Sequence, residues 1–129
     1  MTLVLPPYAK ALGLVAEVDD AGRLILSMEY GQHVMGRPGF LHGGAIAGLL
    51  EIAAIASVRH QLAEDDSPQI KPITVTTDFM RGGREQLTYA TGVISRLGKR
   101  LANVESFAWQ DDETKPIAAA RMNLLLARK

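Results

Sequence analysis

Leu41-His42-Gly43-Gly44-Ala45-Ile46-Ala47-Gly48-Leu49-Leu50-Glu51-Ile52-Ala53-Ala54-Ile55-Ala56-Ser57-Val58 carries a single carboxylate, Glu51, and from Gly43 onward is otherwise built of apolar and small residues. The run is too short for a bilayer span, and it contains a charge. It reads as one helix from Gly43 to about Leu62, apolar on nearly every face and therefore expected to be buried all round. A lone carboxylate there is costly unless something compensates it. A Gly-Gly pair at the start leaves backbone N–H groups that can face a partial negative charge. The combination points to an active site as well as a core.

Outside this helix the pattern is that of strands. Leu14–Val18 and Arg23–Met28 read as a hairpin around Asp19-Asp20-Ala21-Gly22. A short helical turn over residues 6 to 12 precedes them, with Pro near its start. Gly31, Gly36, Pro38 and Gly39 mark residues 30 to 41 as an irregular loop. After the polar stretch Ala63–Gln69 come Ile73–Phe79, rich in β-branched residues, then Leu87–Leu97, Leu101–Trp109 and Ile117–Leu126. The last segment reads as a strand, although its alanines and leucines would also suit a helix. Two strands, one long buried helix and four strands predict an α+β fold in which a curved antiparallel sheet wraps around one central helix.

The 129 residues fit a single domain spanning 1–129. Lysine plus arginine equals aspartate plus glutamate, 14 each, so no global field draws in nucleic acid or an anionic membrane. Absence of cysteine excludes disulfides, a thiolate nucleophile and a thiolate metal site. Three histidines without paired spacing do not make a metal site, and no cofactor is expected. The N-terminus Met1–Pro7 lacks the basic start and long apolar core of a signal peptide, so a cytoplasmic protein is the expectation.

The element order, with Leu41-His42-Gly43-Gly44 opening the helix, resembles the hotdog fold. More narrowly it resembles the acyl-CoA thioesterases of the phenylacetate-degradation type. The matching pieces are Gly39–Ala47, Glu51, Thr76-Thr77-Asp78-Phe79-Met80-Arg81-Gly82-Gly83 and Gly98-Lys99-Arg100. The resemblance implies that the Gly43 N–H holds the thioester carbonyl oxygen and that Glu51 acts as general base toward water or as nucleophile. It also implies a CoA-thioester substrate and a homodimer or homotetramer. The family commonly carries Asn or Gln seven residues before the oxyanion glycine, where this chain has Gly36, so Gln32 and His33 are the nearby candidates to replace it. Some relatives place Ser or Thr one turn after the acid, where this chain has Ile55.

An N–H at a helix start suits the negative charge that builds on an attacked carbonyl. Glu51 lies eight residues beyond Gly43, about 12 Å along a helix axis. One side chain does not span that gap. If both residues act on one thioester, antiparallel helices of two chains build the site. Around this pair, His42, Gly44, His33 and Gln32 are candidates to line the substrate pocket, His42 chiefly as architecture. Arg81 and Gly82 on one basic turn, and Lys99 and Arg100 on another, are candidates to hold CoA phosphates. His60, near the helix end, suits the dipole. Small residues at Ala47 and Gly48 would leave room for a substrate. Two other functions fit parts of the pattern. His33-Val34-Met35-Gly36-Arg37-Pro38 faintly matches the signature of hotdog hydro-lyases acting on 3-hydroxyacyl thioesters. Gly36 and Ile55 are compatible with an acyl-CoA binding protein without turnover.

Overall fold

A computed structural model describes residues 3–128. The elements in chain order are α1 (Pro7–Leu12), β1 (Leu14–Val18), β2 (Leu24–Met28), a 3-10 turn (Gln32–Val34), α2 (Gly43–Gln61), β3 (Gln69–Phe79), β4 (Thr88–Leu97), β5 (Leu101–Trp109) and β6 (Ala118–Ala127). The six strands form one sheet in the order β1-β2-β4-β5-β6-β3, every pair antiparallel. The sheet curves around α2, which is the hotdog arrangement.

Alternation along β5 and β6 sorts the two faces of the sheet. Ala102, Val104, Ala108, Ala120, Met122 and Leu124 point inward and are buried with Leu49, Leu50, Ala53 and Val58 of α2. Helix and sheet come into tight contact at Gly92. A Cβ there would lie 2.9 Å from Ser57 Oγ and 3.1 Å from Ala54 Cα, and the Gly92 N–H donates to Ser57 Oγ at 3.0 Å. Backbone blocks one side of that contact, so it cannot relax by turning a rotamer. Gly92→Ala is therefore expected to lower stability by about 1–3 kcal/mol, read from the midpoint of urea unfolding. An unchanged midpoint would mean that α2 floats on the sheet at this crossing.

Four sequence expectations are refined by this packing. β3 begins at Gln69 rather than Ile73, and includes Pro72. Proline is tolerated because β3 is an edge strand whose register shifts between Pro72 and Thr74. The ambiguous last segment is a strand, because it pairs with both β5 and β3. Gly48 leaves no room for a substrate: Tyr8 Cε2 and Leu12 Cδ1 of α1 lie 2.9 and 3.2 Å from where its Cβ would be. Lastly, α2 is not buried all round. Gly44 is exposed, and Ala47, Glu51, Ile55 and Arg59, one turn apart, are only half-buried. They form one open stripe along the helix.

Candidate active site

The start of α2 is built by His42. Its backbone is extended, with φ −71° and ψ 135°, and its carbonyl accepts from Ala45 N at 3.0 Å and Ile46 N at 3.1 Å. Its ring Nδ1 accepts from Gly44 N at 2.8 Å, so a neutral ring carries its proton on Nε2. Three of the first four helix N–H groups are thus satisfied. The fourth, Gly43 N–H, has no acceptor among the described residues. It is a bare donor at the positive end of a 19-residue helix. The exposed Phe79 ring stands beside it, its Cε1 and Cζ 3.6 Å from where a Gly43 Cβ would be.

His42 is held from behind. Its N–H donates to Val34 O at 2.8 Å, and Leu41 N–H donates to Gly83 O at 2.9 Å. Gly36 packs directly on the His42 backbone: a Cβ at position 36 would lie 3.1 Å from His42 Cα. No side chain fits there without moving the cap, which gives a packing reason for glycine at that position. Gln32 and His33 are both exposed. The His33 ring lies against Gly31, 2.9 Å from its would-be Cβ, and reaches over Gly13 at the end of α1.

Glu51 has neither a hydrogen bond nor an ion pair among the described residues and sits mid-way along the open stripe. One turn further on, Ile55 enters an apolar cleft of about 360 Å³ shared with Leu5, Ile52, Ala56 and Ile70. Arg59 also lines it, with a guanidinium N–H donated to Pro68 O at 2.7 Å. Within one chain the carboxylate and the bare N–H stand at different levels of the helix.

The two basic turns lie at opposite ends of the sheet. Arg81 and Gly82 follow Phe79 at the end where α2 begins, and the N–H groups of Met80 and Arg81 are pinned to Ile117 O at 2.8 and 3.1 Å. Lys99 and Arg100 lie at the far end, beside Leu125, Ala127 and Arg128, in a cavity of about 830 Å³ that Asp66 also lines. Arg128 holds that corner together by donating to the Lys99 carbonyl and pairing with Asp66 at 2.8 Å. The Arg128 guanidinium draws the Asp66 carboxyl below its ordinary value of 3.8. A carboxyl depressed on folding stabilises the fold above its unfolded pKa, and the contribution disappears as pH falls through the folded value. Asp66→Asn is therefore expected to melt slightly below the parent at pH 7, with the gap closing below pH 3.8; the pair is exposed, so the gap is small. A gap that persists unchanged at pH 2 would contradict this.

Two features escaped the sequence reading. Phe79 is one, since its place beside Gly43 depends on how β3 ends. The other is Phe40, whose ring has the guanidinium carbons of both Arg37 and Arg84 over it, 4.2 and 4.5 Å from its centroid. The only available signal was Arg37 and Arg84 flanking the Gly-rich segments on either side of this junction. Among the described residues no group of three or more His, Asp or Glu is placed to hold a metal ion. No helix among them is long and apolar enough to cross a membrane.

Residues 38–117, which include Gly43, Glu51 and Phe79, match the model of the thioesterase superfamily. The chain belongs to that superfamily, and its chemistry falls with thioester hydrolysis. Among solved structures, a Chromobacterium violaceum protein is 34% identical, with a TM-score of 0.77 over 95% of this chain and 84% of that one. A Bacillus halodurans protein crystallised with CoA is 20% identical, with a TM-score of 0.84 over 96% of this chain and 80% of that one. A phenylacetic acid degradation-related protein from Ralstonia eutropha is 23% identical, with a TM-score of 0.78 over 95% and 92% of the two chains. No curated protein matches the sequence.

Proposed function

We propose that this chain, a single hotdog domain, hydrolyses an acyl- or aroyl-CoA thioester at a site shared between two subunits. The Gly43 N–H is the oxyanion donor. Glu51 of the partner subunit is the general base toward water, or the nucleophile. The observation that carries the reading is the unaccepted Gly43 N–H, left free because His42 takes the neighbouring Gly44 N–H. The Bacillus halodurans structure with CoA supports the choice of carrier.

Assembly is supported by β3. It is an 11-residue edge strand with Ile73 57%, Val75 42% and Phe79 55% exposed. A long bare edge with apolar side chains is a template for pairing with another strand. Antiparallel pairing of two β3 strands about a twofold axis would set the two α2 helices antiparallel. It would also bring Lys99 and Arg100 of the partner subunit to the end of the sheet where α2 begins. The half-buried Glu51 on the open stripe, without a partner among the described residues, fits a surface completed by a second chain.

Thiol release from a panel of CoA esters, run beside a hydration assay on enoyl-CoA, tests the activity. Release without hydration is expected. Tight CoA-ester binding with no thiol release would replace the hydrolase reading by that of a binding protein.

A further inference from the structure

The side chain that caps a helix start is ordinarily that of Ser, Thr, Asp or Asn. Helix α2 has an imidazole there instead. The Gly44 N–H donates to His42 Nδ1 at 2.8 Å, and among the described residues no other side chain bonds the first turn. The ring reaches that N–H because position 44 carries no side chain. A Cβ on Gly44 would lie 2.9 Å from His42 Nδ1 and 3.1 Å from its Cε1. Gly44→Ala would therefore push the ring off the N–H, since the ring can turn away and the helix backbone cannot. Gly44 is the seat of the ring.

The same residue also holds the peptide unit before Gly43. A peptide unit is planar, so the direction of the Gly43 N–H is set by the His42 carbonyl joined to it. That carbonyl accepts from Ala45 N at 3.0 Å and Ile46 N at 3.1 Å, which turns it into the helix and the Gly43 N–H out of it. The ring bond fixes the next unit, formed by the Gly43 carbonyl and the Gly44 N–H. His42 therefore grips Gly43 on both sides, once by its carbonyl and once by its ring. Its own place is set by its N–H, which donates to Val34 O at 2.8 Å, and by Gly36, whose Cβ would lie 3.1 Å from His42 Cα. Glycine has more backbone freedom than any other residue, so a donor carried by Gly43 needs such holds to keep one direction. A donor already aimed at developing charge costs no reorganisation during the reaction.

We infer that His42 is a positioning residue for the oxyanion donor: its neutral ring, seated in the space that Gly44 leaves, locks the Gly43 N–H in the direction that meets the thioester carbonyl. This rests on the thioester reading above. In this role His42 and Gly44 act through Gly43 and not on the substrate.

The test is thiol release from a CoA ester by His42→Ala, Gly44→Ala, the double variant, His42→Asn and His42→Asp, each assayed well below its melting temperature. His42→Ala and Gly44→Ala are each expected to lower kcat roughly tenfold, a fraction of what losing the donor itself costs, with KM near that of the parent. The double variant should lose no more than the worse single one, because both changes remove the same bond. His42→Asn restores a neutral acceptor and should recover kcat to within about threefold of the parent. Aspartate caps a helix as well as asparagine and suits its dipole, so His42→Asp should melt no lower than His42→Asn. Its charge opposes the oxyanion, however, and kcat should stay roughly tenfold down. Parent-like kcat in either alanine variant, losses that multiply in the double variant, or His42→Asn as slow as His42→Ala would each overturn the inference. His42→Asp as fast as His42→Asn would leave the cap a role in stability alone and overturn it too. If the parent cleaves no thioester, the function above fails, and solvent exchange of the two amides, read by NMR, decides the lock alone. Slow exchange at Gly44 beside fast exchange at Gly43, with residue 44 released in His42→Ala, would support it. Equally fast exchange at both in the parent would overturn it.

Discussion

Glu51→Gln is expected to lower kcat on a CoA ester by roughly a hundred- to ten-thousandfold, the range that a positioned general base supplies. Glutamine has nearly the same size and shape, and Glu51 is half-buried with no partner to lose among the described residues. The helix should form as before, and thermal melting should match the parent. KM should change little, since the carboxylate acts on water or on the carbonyl rather than on the carrier. The assay is steady-state thiol release, with circular dichroism as the folding control. Turnover within a few-fold of the parent would remove Glu51 from the chemistry.

Gly43→Pro tests the other half of the site and is expected to cost roughly a hundred- to a thousandfold in kcat, as losing one oxyanion donor does. Proline removes the N–H itself, which no other substitution achieves. Position 43 is the first helical residue, where proline is well tolerated because the N–H makes no bond within the helix. The preceding residue, His42, already has the extended backbone that proline requires, with ψ 135°. Gly43→Ala is the control. It keeps the N–H and adds a Cβ at ordinary contact distance, 3.6 Å, from the Phe79 ring. Alanine should retain most activity where proline loses it. Equal losses in the two variants would mean that position 43 matters for space and not for its N–H.

The parts of this site that follow from local sequence were legible in it, and the parts that follow from packing were not. The apolar run after His42 sufficed to expect α2, and the observed Gly43–Gln61 ends within a residue of that expectation. The Asp19–Gly22 turn likewise placed β1 and β2. Pro72 was different, because its acceptability depends on β3 being at the edge of the sheet. Gly48 looked like pocket space until α1 folded over it with Tyr8 and Leu12. Gly36 looked like a missing amide, but a Cβ there would press on the His42 backbone at 3.1 Å. Arg37 and Arg84 are distant in the chain, and only the tertiary fold places both on Phe40. The same limit applies to the open stripe of α2. Its residues are as apolar as the buried ones, apart from Glu51 and Arg59, and only the arrangement of sheet and α1 leaves it uncovered.

The central claim is that Gly43 and Glu51 act on one thioester from different subunits. It is tested by mixing two inactive variants, Glu51→Gln and Gly43→Pro, unfolding them together and refolding. If the site is composite, each mixed dimer holds one site with both defects and one with neither. Random pairing then makes half the dimers mixed, and about one quarter of the parent activity returns. If both residues served the same chain, every site in the mixture would carry a defect. Activity that stays at the level of the separate variants, in a sample shown to contain mixed dimers, would contradict the account.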